Sequence, residues 1–247
     1  MRAARVVMRP TATEPALIVT AHGSADPRSA AVTHAVAARI RRLRPWLDVR
    51  VAFCEQTAPL LGDVLAGLRG PAVVAPLLLA DAYHARVDIP TMIRDSGARV
   101  RQSDVLGEDD RLVRVLRERI GAAGFSRLDG ELGVIVTAVG SSRPDANART
   151  AQVAGALEAG THWTAAVAFA TGPRPTLTET AGRLRRCGAT RLVIAPWFLA
   201  HGRITDRVAE FGHVTDVPMT EPLGAHPLVA ETLLERYDTA VAARAAA

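Results

Sequence analysis

Three side chains carry the chemistry this sequence can do: His22, Glu55 and His84. His22 lies in "LIVTAHGSADP", Glu55 in "VAFCEQTAPLL" and His84 in "PLLLADAYHARVDIP", each just beyond a short apolar run. Two imidazoles and a carboxylate make a donor set suited to a borderline divalent metal. The same groups accept protons near neutral pH. Around them stand accessory candidates. Ser24 and the "GSADP" backbone suit a carboxylate at a helix N-terminus, although an ordinary cap explains them equally well. Arg86, close to His84, is a candidate partner for an acidic ligand, and Asp88 reads as a helix cap. His201, Arg203 and His226 fall in loops that leave open whether they line a cleft, while His34, His162 and His213 read as surface residues.

Distant residues meet only if the fold brings them together. Ala16–Ala21 is a nearly continuous apolar run bounded by Pro15 and Gly23, as in a strand buried on both faces. From Arg28 to Arg44 the apolar residues Val32, Val36, Ile40 and Leu43 keep helical spacing, and Pro45 ends the run. A strand at 47–53, a helix after Pro59, a strand at 72–79 and a short helix from Asp88 follow. A strand near 99–104 and a helix from Glu108 close the unit. Strand–helix alternation of this kind implies a parallel sheet covered by helices on both faces. Ligands bind such sheets outside the carboxyl ends of the strands. His22, Glu55 and His84 follow the first, second and third strands, so one edge collects all three.

The unit then repeats. "VIVTAVGSSRP" matches the first phrase, "VAFATGPRPTL" the second, "VIAPWFLA" matches "VVAPLLLA", and "LGAHPLVAETLLERY" matches "LGEDDRLVRVLRERI". His22 and Val139 are 117 residues apart, as are Leu106 and Leu223. The second copy keeps Gly140, Ser141 and Pro144 but replaces the chemistry: Val139 stands for His22, Thr171 for Glu55 and Ile204 for His84. Glycine and proline serve the turn, which both copies need. The histidines serve one site. The fold class is therefore α/β, two tandem domains of four parallel strands flanked by helices, at residues 15–124 and 125–247. Residues 1–14 are expected to be a flexible leader.

Composition sets limits. Hydrophobic residues make up 49% and aromatics 4%, so the core is aliphatic. The net charge of +5 favours a polyanionic partner. Lysine is absent and the arginines are scattered without interleaved aromatics, which argues against nucleic acid. Cys54 and Cys187 form no CxxC pair, and no run suits a signal peptide or a membrane span, so a soluble cytoplasmic protein is expected.

At "TAHGSADPRS", "VAFCEQTAPLL" and "PLLLADAYHARVDIP", and over nearly its whole length, the chain resembles the sirohydrochlorin chelatases of the class II tetrapyrrole chelatase family. That resemblance implies paired flavodoxin-like domains around a cleft, and insertion of Fe²⁺ or Co²⁺ (Ni²⁺ in some members) into sirohydrochlorin for sirohaem or cobalamin. It implies the metal as substrate, with no permanently bound cofactor. His22, His84 and Glu55 become the metal-handling and proton-accepting set, with His22 as base and His84 and Glu55 presenting the metal, or the histidines exchanged. Ser24, Arg28 and Arg86 become candidates for holding a macrocycle rich in carboxylates. The tail "TAVAARAAA" has neither the histidine run nor the cluster ligands of some relatives. A non-catalytic carrier of tetrapyrrole or metal is the alternative. A histidine-phosphatase-like enzyme is another, although the residue before the histidine is Ala21 rather than arginine.

Overall fold

The structure, a computed structural model, describes residues 14–245. All but the end of the expected leader lies outside that range. The first half runs β1 (Ala16–Ala21), α1 (Pro27–Leu43), β2 (Val49–Phe53), α2 (Leu61–Ala66), β3 (Ala72–Pro76), α3 (Ile89–Ser96), β4 (Val100–Gln102) and α4 (Asp110–Ala122). A π-helical turn, His84–Asp88, leads into α3. The second half runs β5 (Leu132–Ala138), α5 (Pro144–Glu158), β6 (Thr164–Phe169), α6 (Leu177–Arg186), β7 (Arg191–Pro196), α7 (Arg203–Thr215) and α8 (Pro227–Ala245).

Every strand pair is parallel, and the orders are β2-β1-β3-β4 and β6-β5-β7. The central strands β1 and β5 are buried along their whole length, as continuous aliphatic runs require. The first order is that of flavodoxin-like sheets, in which crossovers diverge on either side of β1. In the second half the expected fourth strand shrinks to a single bridge between Ile194 and Met219. Pro218 explains the difference. It accepts from Ile194 N–H at 2.8 Å but has no N–H of its own to continue a ladder.

The helix expected to close the first unit does not pack on it. α4 lies against α5 and β7 of the second half, while α8 lies against α1 and β3 of the first. The two halves thus exchange their last helices. One continuous aliphatic core results, running from Leu17, Val19 and Ile40 through Leu112, Leu116 and Ile120 to Val134, Leu233 and Tyr237. Polar contacts pin the exchange. Tyr237 donates to Pro15 O at 2.5 Å, Arg236 pairs with Asp109 at 2.9 Å, and Arg44 pairs with Asp238. The outer faces carry separate small cores under α2 and α3, and under α6 and α7.

Candidate active site

Glycine sets the geometry of the first loop. Gly23 has φ +98°, and a Cβ there would stand 1.7 Å from the carbonyl oxygen of Glu55. Without a side chain the loop after β2 closes over it. Glu55 N–H donates to His22 O at 3.0 Å, and Ser24 N–H donates to Thr57 Oγ1 at 3.0 Å. The second half repeats the device: Gly140 has φ +93°, and Thr171 N–H donates to Val139 O at 2.9 Å. The glycine thus serves both turns, and in the first it carries Glu55 to His22.

The rings of His22 and His84 meet edge to face, with centroids 4.0 Å apart and planes at 87°. Each ring has one nitrogen already engaged. His22 Nδ1 lies 2.8 Å from Gly23 O, and a carbonyl only accepts, so Nδ1 carries the proton. His84 Nδ1 donates to Asp88 Oδ2 at 2.6 Å. In the neutral form, a ring engaged in this way presents Nε2 as a lone pair, the orientation that a partner on the far nitrogen enforces in metal sites. Glu55 Oε1 stands 3.6 Å from His22 Nε2 and accepts from Gln56 Nε2 at 2.7 Å.

Asp88 corrects the sequence reading. Its side chain makes no cap bond to α3, because it is already inside helical geometry and is spent on His84 one turn earlier. The four-residue spacing between them was the signal that would have found it. The expected three-ligand metal set is not assembled either. Among the described residues, no group of three His, Cys, Asp or Glu side chains is placed to hold an ion. Two imidazoles are together, with Glu55 off to the side of His22.

Both histidines line a cleft of about 690 Å³ between the halves, at the carboxyl ends of β1, β3, β5 and β7. The wall opposite carries Val139 and Ile204, the residues that replace them. Leu77, Leu79, Phe169, Trp197 and Phe198 make much of the remaining lining apolar. Ser24, His201 and Arg203 also line it; Glu55, Arg28, Arg86 and His226 do not. Ser24 is used locally, since its Oγ accepts from Asp26 N–H at 3.0 Å while Asp26 caps α1. His226 lies elsewhere and pairs with Glu118 at 3.1 Å. Among the described residues, no Asp or Glu lines the cleft.

Arg28 and Arg86 flank the mouth, and carboxylates hold both. Arg28 pairs with Asp26 at 2.6 Å and with Asp206 of α7 at 2.5 Å. Its guanidinium holds the Asp26 carboxyl down at about 2. Arg86 pairs with Asp81 at 2.6 Å and reaches Asp145 of α5 at 3.8 Å. Cys54, next to Glu55, is buried, and burial pushes its thiol up to about 11.

Comparison with known proteins follows the same duplication. The family model CbiX matches twice, over residues 16–123 and 133–240. The chain belongs to the CbiX family. It is 27% identical over 209 residues to a sirohydrochlorin ferrochelatase of Priestia megaterium, covering 79% of this chain and 77% of that one. Its fold is that of SirB from Bacillus subtilis with Fe³⁺, at TM-score 0.81 and 21% identity, over 94% of this chain and 98% of that one. The sirohydrochlorin chelatase SirB from Bacillus subtilis subspecies spizizenii, in complex with cobalt, gives TM-score 0.73 and 19% identity over 93% and 96%. No described helix is long and apolar enough to cross a membrane.

Proposed function

We propose that this protein is a sirohydrochlorin chelatase, inserting Fe²⁺, or Co²⁺, into the macrocycle. One observation carries the reading: two imidazole rings, each with Nδ1 already engaged, meet in an apolar cleft whose described lining holds no carboxylate. The apolar walls suit the faces of a flat ring, and the absence of acids suits a ring that carries acid groups at its edge. Residues 15–124 supply the reacting groups, and residues 125–247 supply the facing wall.

Metallation expels two pyrrole N–H protons and strips water from the ion. His22 takes one of these protons on Nε2, where Glu55 at 3.6 Å stabilises the imidazolium, and the other leaves to solvent water. His84, oriented by Asp88, presents the metal through Nε2. Two ligands rather than a closed cage suit an ion that must be released. The reading places the protein in the cytoplasm, in keeping with its two free cysteines.

The test is anaerobic absorbance of sirohydrochlorin with Fe²⁺ or Co²⁺, corrected for spontaneous insertion. The wild type is expected to turn over many times, and His22→Ala and His84→Ala each to lose roughly a hundredfold or more. No acceleration by the folded wild type would overturn the reading. A single turnover with retained product would replace the enzyme by a carrier.

A further inference from the structure

The rim of the cleft carries a charge pattern that the duplication makes legible. Asp26 and Arg28 match Arg143 and Asp145 of the second half, at the shared spacing of 117 residues. Counted from the shared Pro76 and Pro196, Asp81 and Arg86 match His201 and Asp206. At all four matched positions acidic and basic residue types are exchanged between the halves. Two ion-pair chains result. In one, Asp26 holds Arg28, which reaches across to Asp206. In the other, Arg143 holds Asp145, which faces Arg86 and through it Asp81. Arg28 and Arg86 of the half with the histidines thus face Asp206 and Asp145 of the half without, while Arg149 of α5 reaches back to Asp81 at 3.8 Å and lies 3.7 Å from Asp145.

Asp206 occupies Arg28 in a particular way. Arg28 Nη1 and Nη2 donate to Asp206 Oδ1 and Oδ2 at 3.0 and 2.5 Å, the two-pronged grip a guanidinium gives any carboxylate. Asp26 meanwhile holds the Nε side at 3.0 Å, so the outer edge stays aimed when Asp206 leaves. Arg86 is built alike, with Nε and Nη2 on Asp81 at 2.8 and 2.6 Å and its cross-cleft contact longer. All four partners are partly exposed, so exchange needs no unfolding. Ser29, Thr205, His84 and Ala146, their chain neighbours or near neighbours, line the cleft.

We infer that Asp206 and Asp145 are specificity residues that stand in for ligand carboxylates, occupying Arg28 and Arg86 until the acid groups of a polycarboxylate macrocycle replace them. The inference rests on the reading of the cleft as a tetrapyrrole site. A ring without acids at the right places leaves both cross-cleft pairs closed over the mouth. A ring with them trades each aspartate for its own carboxylate at little net electrostatic cost, so the rim selects by exchange rather than by adding contacts.

The probe is metal-free uroporphyrin, a polycarboxylate porphyrin, titrated against protein fluorescence in the intact chain. Asp206→Asn and Asp145→Asn are each expected to bind roughly two- to fivefold tighter than wild type, since each removes an exposed competing pair. Arg28→Gln and Arg86→Gln are expected to bind more weakly. Asp63→Asn on α2 neither lines the cleft nor pairs across it and corrects for bulk charge. It is expected to match wild type. Wild-type binding with both rim asparagine variants unchanged or weaker, or tightening shared equally by Asp63→Asn, would overturn the exchange alone. Absence of wild-type binding would overturn the cleft reading and the exchange with it.

Discussion

Gly23→Ala should be far more damaging than its one added methyl suggests, and the cost can be built from the contacts. Three glycines share a positive φ but differ in what a Cβ would meet: nothing at Gly97, Thr171 O at 2.6 Å from Gly140, and Glu55 O at 1.7 Å from Gly23. Left-handed backbone alone costs alanine roughly 1 kcal/mol, which is all that Gly97→Ala should lose. At Gly140 the second loop must also retreat by about half an ångström, stretching the bonds of Thr171 to Val139 O, and the loss rises to roughly 2 kcal/mol. At Gly23 the Glu55 carbonyl must move by about 1.5 Å to reach a normal C···O distance. That breaks the bond from Glu55 N–H to His22 O and both bonds between Ser24 and Thr57. At about 1 kcal/mol each, with the backbone strain added, the loss is roughly 4 kcal/mol. Urea unfolding followed by tryptophan fluorescence reads the series, and insoluble Gly23→Ala beside soluble Gly140→Ala and Gly97→Ala would agree with it. A Gly23→Ala midpoint equal to that of Gly97→Ala would refute the reasoning, because the loops would then not depend on the close approach.

Other perturbations have equally definite outcomes. Asp88→Ala should lower Co²⁺ affinity or insertion rate roughly 10- to 100-fold with the fold intact, by freeing the His84 tautomer; an unchanged long-range ¹H–¹⁵N spectrum of His84 would disprove that role. Tyr237→Phe strands Pro15 O in the shared core and should cost roughly 1–2 kcal/mol in urea, whereas a neutral result would mean that water reaches the carbonyl. Native protein treated with iodoacetamide near pH 8 should be alkylated at exposed Cys187 and spared at buried Cys54, whose thiol sits at about 11; peptide mass spectrometry decides. Arg111 and Arg236 flank the Asp109 carboxyl, which lies at about 2 against an ordinary 3.8. Its stabilising contribution is complete above pH 3.8 and lost as pH falls through about 2, so Asp109→Asn should lower stability at pH 6 and flatten the acid limb. An acid limb identical to wild type would exclude it.

Much of the site was readable because it depends on strand order and loop position alone. Apolar runs fix β1, β3, β5 and β7, and the carboxyl-edge rule then brings His22 and His84 together without any distance being known. Glu55 was placed at the right edge, but it stands beside His22 without lining the cleft, and its carboxylate accepts from Gln56. Asp88 was misread because a cap and an i to i+4 partner look the same in one dimension. The helix exchange was hidden for a deeper reason. α4 and α8 follow matched blocks and show apolar faces that fit either half, so trading them leaves the local pattern untouched. The arginines at the mouth were identified, but the aspartates holding them lie on the other half, far away in sequence.

The exchanged helices also govern how the chain must be born. While the ribosome extends the chain, β1 to β4 can assemble early, yet the groove on β3 and α1 has no cover until α8 emerges, more than a hundred residues later. α4, already made, has nowhere to dock before β7 and α5 exist. The nascent first half therefore waits with aliphatic surface open, the condition under which chains aggregate or recruit chaperones. α4 gains its seat once β7 is made, and the first half is closed only by the last helix. A fragment ending near residue 124 would lack its lid and carry a helix with no seat of its own.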